Sequence, residues 1–276
     1  MIRNIPSLSS ERQRRGTIEG LLYEIKGNID VPNYTGFLKF SANKESLAAF
    51  LSEYICENGQ EVLSRDTSIV LAGGFADGEV VKVVHGEGVS CLEELESTQK
   101  EVDTRLLLHS IVLSRDHSRI IVRCDDTDVL VLLLYYSSKG MLANEVYMHA
   151  GHSYKIFTKE RYIPIHQISS KLGNSICHYL PAMHALSGCD TTTALHRLGK
   201  RTAYSALAKN ADALHGLTKF EDKDTFLESS QTFALLLHGK KFKHCSSLNE
   251  LRFILAMTTD KAAPLLPPTE DAYEQH

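Results

Sequence analysis

Apolar residues recur at helical spacing between Asn43 and Glu57, where Leu47, Phe50, Leu51 and Tyr54 share one face, and this spacing predicts an amphipathic helix. Ser68 to Ala72 and Glu79 to His85 are β-rich and are separated by Gly73-Gly74 and Gly78, so a hairpin is expected. From Cys91 to Leu113 the pattern is helical. Its second half, LLLHSIVL, is apolar nearly all round and should be buried. Ser118 to Cys124 is a β-branched strand, and Thr127 to Tyr136 is an apolar helix to be laid on the sheet. Glu145 to Thr158 returns to strand character, and Ile165 to Ser187 predicts two short helices split near Gly173 or Pro181. Lys200 to Leu217, Phe226 to Leu237 and Leu248 to Met257 are further helices, and Pro264 to Pro268 opens a loose tail. The first forty residues are polar and basic without a sustained period. The expected organisation is a polar segment over 1–40, a core over 41–205, a helical extension over 206–260 and a tail over 261–276. Strand-helix alternation followed by helices argues for an α/β fold with a helical extension.

Composition narrows the classes of function. A hydrophobic content of 43% over 276 residues is ample for a packed core. A net charge of -4 and a pI near 6.4 leave no overall attraction for nucleic acid, so binding of that kind needs a local basic patch. The six cysteines show no CxxC pair and no signal peptide precedes them, which predicts free thiols in an intracellular protein of nucleus or cytoplasm. The longest apolar run, VLVLLLYY, is too short to cross a bilayer, so no membrane association is expected.

Three short acidic clusters lie beside apolar segments: Glu101-Val102-Asp103, Asp125-Asp126-Thr127-Asp128 and Gly188-Cys189-Asp190. Carboxylates beside buried elements are costly unless compensated, and a divalent cation is a common compensation. In open α/β sheets ligands sit beyond the carboxyl ends of strands, which is where Asp125, Asp126 and Asp128 fall. Glu101 and Asp103, two apart on a helix, point about 200° from each other, so they reach one ion only near a helix end or together with a second ion. Mg²⁺ or Mn²⁺, singly or as a pair, would suit such carboxylates and phosphodiester hydrolysis. Each cluster also has a plainer use: Glu101 on a solvated acidic helix, Asp126 and Asp128 as turn or helix cap, and Asp190 as a cap. Histidines and cysteines such as His149, His152, Cys177, His178, His184, Cys189, His244 and Cys245 could suggest zinc, but no pair of Cys-x-x-Cys knuckles fixes a site. Cys189 with His184 could form a nucleophile pair, although His184 is expected to pack beside the Gly-Cys-Asp turn. Lys240, Lys241, Lys243 and His244 are a basic cluster that could track phosphates or simply face solvent.

The order Glu-x-Asp, strand-Asp-x-Asp, then Gly-Cys-Asp followed by a Gly-Lys element resembles the second half of the flap-endonuclease-like nucleases of the PIN-like superfamily. KEVDTRLLLH, DDTDVLVLLLYY and YLPAMHALSGCDTTTAL look more closely like a set of mobile-element-associated proteins of animal genomes, across about residues 35–205. The resemblance implies a three-layer α/β/α domain with a mainly parallel sheet. It implies catalytic metal-binding roles for Glu101, Asp103, Asp126, Asp128 and Asp190, with Asp125 a neighbour, and nucleic-acid contacts from Gly199, Lys200 and Arg201. Two departures stand out. The family has further acidic residues on a strand N-terminal to these, so the domain is expected to be truncated at its start. Arg197 occupies the first glycine position of the family's Gly-x-Gly-Lys hairpin. The expected function is hydrolysis of branched or single-stranded DNA or RNA with Mg²⁺ or Mn²⁺ and no small-molecule cofactor. The alternative is a non-catalytic module, left by a mobile element, that binds nucleic acid or protein.

Overall fold

The computed structural model describes residues 23, 25–28, 30, 31, 33–98, 101–151, 159–190, 192, 198–239, 244–258 and 265–275. The chain forms two compact units that meet between Arg105 and Leu106. The polar N-terminal segment lies mostly outside the described residues, as do Arg197, Lys240, Lys241 and Lys243.

In the first unit α1 (Tyr34–Phe37) leads into α2 (Ser41–Val62), followed by β1 (Ile69–Ala72), β2 (Val81–His85) and β3 (Gly88–Cys91). The expected hairpin forms, with Ile69 opposite Val84 and Ala72 opposite Val81 in antiparallel register. A third strand joins it: Gly88–Cys91, of which only Cys91 falls in the expected helix, pairs back on β2. The tight turn after His85 makes this pairing local, and the helix, α3 (Val102–Leu113), starts eleven residues later than Cys91. Val81, Val83 and Val84 are buried from β2, and the apolar centre also holds Phe37 and Leu95. Asn43 is buried on α2, its Nδ2 donating to the Phe37 carbonyl at 3.2 Å and its Oδ1 accepting from Tyr23 N at 3.1 Å. Both polar ends are therefore satisfied, as burial requires.

The second unit holds β4 (Arg119–Arg123), α4 (Thr127–Ser138), β5 (Glu145–Ala150), β6 (Arg161–Pro164), α5 (Ile165–Leu186), α6 (Lys200–Asn210), α7 (Lys223–Leu237), α8 (Leu248–Thr258) and α9 (Glu270–Glu274). β4 and β5 pair in parallel, Ile120 opposite Val146 and Val122 opposite Met148, and β6 joins β5 antiparallel. The fold is mixed α/β. Among the described residues parallel pairing is confined to β4 and β5, so the sheet is not mainly parallel. Alternation decides its faces: Ile120 and Val122 enter the core, whereas Arg119, Ile121 and Arg123 are exposed.

α4 is too apolar to have one buried face only. Val129, Val131, Leu133 and Leu134 are all buried, and Leu130, Leu132 and Tyr136 pack partly buried against the same cluster. The long α5 supplies Ile165, Tyr179, Leu180, Ala182, Met183 and Leu186 to that core. Of the two breaks expected in α5, the chain uses Gly173, which bends the helix at φ 78°, a conformation a side chain would strain; Pro181 stays inside the helix. No helix among the described residues is long and apolar enough to cross a membrane. Among the described residues, which include all six cysteines, no disulfide forms.

The tail expected to be loose ends on α9. Tyr273 is buried there and its hydroxyl donates to the Ser230 carbonyl of α7 at 2.9 Å. Burial pushes the Tyr273 phenol above its ordinary value, against a smaller opposing effect of that hydrogen bond. A phenol raised on folding supports the fold below its unfolded pKa of about 10 and withdraws that support as the pH climbs toward the folded value. Tyr273→Phe should cost about 0.5–1.5 kcal/mol at neutral pH. It should also flatten the loss of stability above about pH 10, measured by urea unfolding of both proteins across that range.

Candidate site at the carboxyl end of the parallel strands

The chain leaving β4 turns at once into α4, and each aspartate in that turn has a definite job. Asp125 Oδ1 accepts from the Gly151 amide at 2.5 Å, tying the end of β4 to the end of β5. Asp126 is the N-cap of α4, its Oδ1 accepting from Asp128 N at 2.9 Å. An aspartate there satisfies one orphan amide and complements the positive end of the helix dipole. Asp128 stands in the first turn, and its Oδ1 accepts from His184 Nε2 at 2.7 Å.

His184 comes from the last turn of α5, fifty-six residues away. It is 7% exposed, and its Nδ1 is buried with no hydrogen-bond partner among the described residues. The helix then closes through a dense set of bonds. Ser187 Oγ donates to the Met183 carbonyl at 2.7 Å, and Gly188 N donates to that of Ala185 at 3.0 Å. Thr192 Oγ1 donates to the Ala185 carbonyl at 2.6 Å and accepts from Cys189 N at 3.1 Å. Gly188 takes φ 96°, which lets the chain leave the helix axis sharply. The described residues of the HALSGCDTT motif thus form a helix terminus in which the Met183, His184 and Ala185 carbonyls all accept hydrogen bonds.

Lys200 completes that terminus. Its ammonium donates to the His184 carbonyl at 2.5 Å, to Ser187 Oγ at 3.0 Å and to the Gly188 carbonyl. Burial pulls its pKa down, with Cys189 and Asp128 acting in the opposite sense. Of the residues expected to contact nucleic acid, Gly199 is exposed as the N-cap of α6 and Arg201 is exposed on its first turn, whereas Lys200 is turned into the fold.

The five expected ligands are distributed over both units. Glu101 and Asp103 are half-buried at the start of α3 in the first unit, where the Glu101 carbonyl accepts from Thr104 Oγ1 at 2.8 Å. Asp126, Asp128 and Asp190 belong to the second, Asp126 and Asp190 exposed and Asp128 half-buried. Among the described residues no three His, Cys, Asp or Glu side chains gather closely enough to hold a metal ion. A cavity of about 430 Å³ in the first unit, lined in part by Glu53, Glu57, Phe75, Asp77 and Lys82, contains none of the expected ligands. What the second unit does offer is a pair of hard carboxylates. Asp126 and Asp128 each engage one oxygen in the hydrogen bonds above, and the second oxygen of each forms no hydrogen bond among the described residues. That donor set suits a Mg²⁺-sized ion, which keeps several waters and needs only one or two carboxylates when substrate phosphates supply the rest.

The pairing of Asp128 with His184 was not expected from sequence. The usable signal was the lone imidazole in the apolar run LPAMHAL: a histidine on a helix face that must be buried needs a partner from elsewhere. Replacing Lys200 with Met should keep the side-chain volume but remove a charged donor from the His184 and Gly188 carbonyls at the end of α5. A loss of about 1–3 kcal/mol in urea unfolding is expected. Arg201→Met, at an exposed position, should leave stability within about 0.5 kcal/mol of the parent.

The chain matches no family model, no curated protein and no solved structure.

Proposed function

We propose that the chain is a metal-dependent phosphodiesterase of the flap-endonuclease type, built on a PIN-like plan and acting on branched or single-stranded DNA or RNA. The observation that carries this reading is the meeting of two motifs distant in sequence, Asp128 of DDTD with His184 of HALSGCD, beyond the carboxyl end of a parallel strand pair. Ligand sites in open α/β sheets are built there. The position alone would also suit a helix cap. What favours a site is that Asp126 and Asp128 meet the needs of the fold with one oxygen each and have a second to offer.

In this reading Asp126 and Asp128 would hold a hydrated Mg²⁺ or Mn²⁺, and Asp190, exposed on the turn after α5, is the further carboxylate that the resemblance assigns to the set. A bound ion would supply Lewis-acid chemistry toward the phosphoryl group. Asp125 keeps the ends of β4 and β5 together, so the Asp126 turn is presented from a fixed edge. Glu101 and Asp103 complete the set in the family that the sequence resembles.

A second reading has its own observation. Lys200, the cation expected to reach phosphate, spends its three donors on the end of α5, and no three-residue ligand cluster forms among the described residues. Both features suit a non-catalytic module derived from a mobile element, which binds nucleic acid or protein.

End-labelled branched and single-stranded DNA and RNA, incubated with the full chain and millimolar Mn²⁺, separate the two. Cleavage above background is expected for the parent chain. Asp128→Asn should lower it about 100-fold or more, because a two-carboxylate set has no ligand to spare. No cleavage by the parent, with oligonucleotide binding that weakens steeply as salt rises, would replace the enzyme by the binding module.

A further inference from the structure

We infer that His184 is a positioning residue for Asp128: it holds one carboxylate oxygen from the interior so that the other is presented outward to a hard cation. The inference rests on the metal-dependent reading above, and it concerns a residue outside the acidic set that the motifs single out.

Three observations carry it. The first is the bond itself, 2.7 Å from Nε2 to Asp128 Oδ1. A carboxylate accepts, so the proton of the pair lies on Nε2. The second is the other ring nitrogen. Nδ1 is buried without a partner among the described residues, and a proton placed there would find none of them to donate to. Both nitrogens therefore favour the same tautomer. The third is rigidity along the chain of contacts. The carbonyl of His184 accepts from Lys200 Nζ at 2.5 Å and from Ser187 Oγ at 3.2 Å, which pins the backbone that carries the ring.

Exposure gives the arrangement its direction. The His184 side chain is 9% exposed and that of Asp128 31%, so the pair runs from the core toward solvent. A partner bound to one oxygen of a ligating carboxylate fixes its orientation and limits the rotamers lost on binding an ion. A bond that only stitched α4 to α5 would do the same for stability, so stability cannot test the difference. Ion affinity can.

The test uses the full ¹⁵N-labelled chain and Mn²⁺ alone. Long-range imidazole spectra of the metal-free chain should show the His184 proton on Nε2. Paramagnetic broadening of the Asp126–Asp128 amides should appear on titration of Mn²⁺. His184→Leu should need about 10–100-fold more Mn²⁺ for the same broadening, the range typical of partners that orient a ligand. His184→Gln, which offers an N–H at similar reach, should recover most of that affinity. Should His184→Leu fail to fold, His184→Asn is the substitute. It is polar but too short to reach Asp128, and it should weaken Mn²⁺ where Gln does not. A proton on Nδ1, or unchanged affinity in a folded Leu or Asn variant while the parent binds Mn²⁺, overturns the role of His184 and leaves the site intact. A parent chain that shows no broadening at Asp126–Asp128 removes the metal reading first, and the positioning role falls with it.

Discussion

The antiparallel packing of α4 on α5 is the constraint from which the rest of the second unit follows. α4 presents apolar side chains in nearly every direction and must be covered by both the sheet and a long helix. Two contacts show the sense of packing: Asp128 meets His184, and six residues further along α4 the Leu134 carbonyl accepts from Ser169 Oγ at 3.5 Å, well back toward the start of α5. The beginning of one helix therefore lies against the end of the other. Their dipoles oppose favourably, with Asp126 and Asp128 at the positive end of α4 and Lys200 at the negative end of α5. Hydrophobic burial thus brings the acidic motif and the HALSGCDTT motif together before any ligand is considered.

Which parts of this were legible in the sequence depends on whether the cause was local. β4, α4 and α5 follow directly from β-branched alternation and continuous apolar runs, and their observed bounds differ from the expected ones by a few residues. Asp126 as a cap was legible for the same reason, since an N-cap acts on an amide two residues away. Gly173 was named as a possible break because glycine is the residue that tolerates positive φ. By contrast β3 carries no strand signal of its own, and its last residue, Cys91, falls at the start of the expected helix. GVSC is too short for its period to outweigh the acidic, helix-like stretch after it, and only pairing with β2 makes it a strand.

The direction of Lys200 illustrates the limit more sharply. On sequence it sits beside a glycine and an arginine in a basic segment, and the family resemblance makes it a phosphate contact. In the folded chain three acceptors left over from the terminus of α5 lie closer than solvent. A helix leaves its last carbonyls unanswered, and a cation brought near them by the chain's return is captured. Nothing local to Lys200 encodes that capture; it depends on where α5 ends and where α6 begins.

The aspartates at the start of α4 bear on how a structural role and a chemical one coexist. An aspartate that capped a helix with both oxygens would have no capacity for a ligand, and one with no structural bond would be poorly oriented. Asp126 and Asp128 stand between these limits, each with one oxygen committed to an amide or an imidazole. Asp125 is different, because its bond to Gly151 N belongs to the sheet edge and serves to hold β4 against β5. The three neighbours therefore separate by what they are bonded to and not by residue type. The order in which they do so, sheet clamp, helix cap, imidazole-bound carboxylate, follows the chain from the end of β4 at Arg123 into the first turn of α4, where the three side chains engage the end of β5, the N-terminus of α4 and α5.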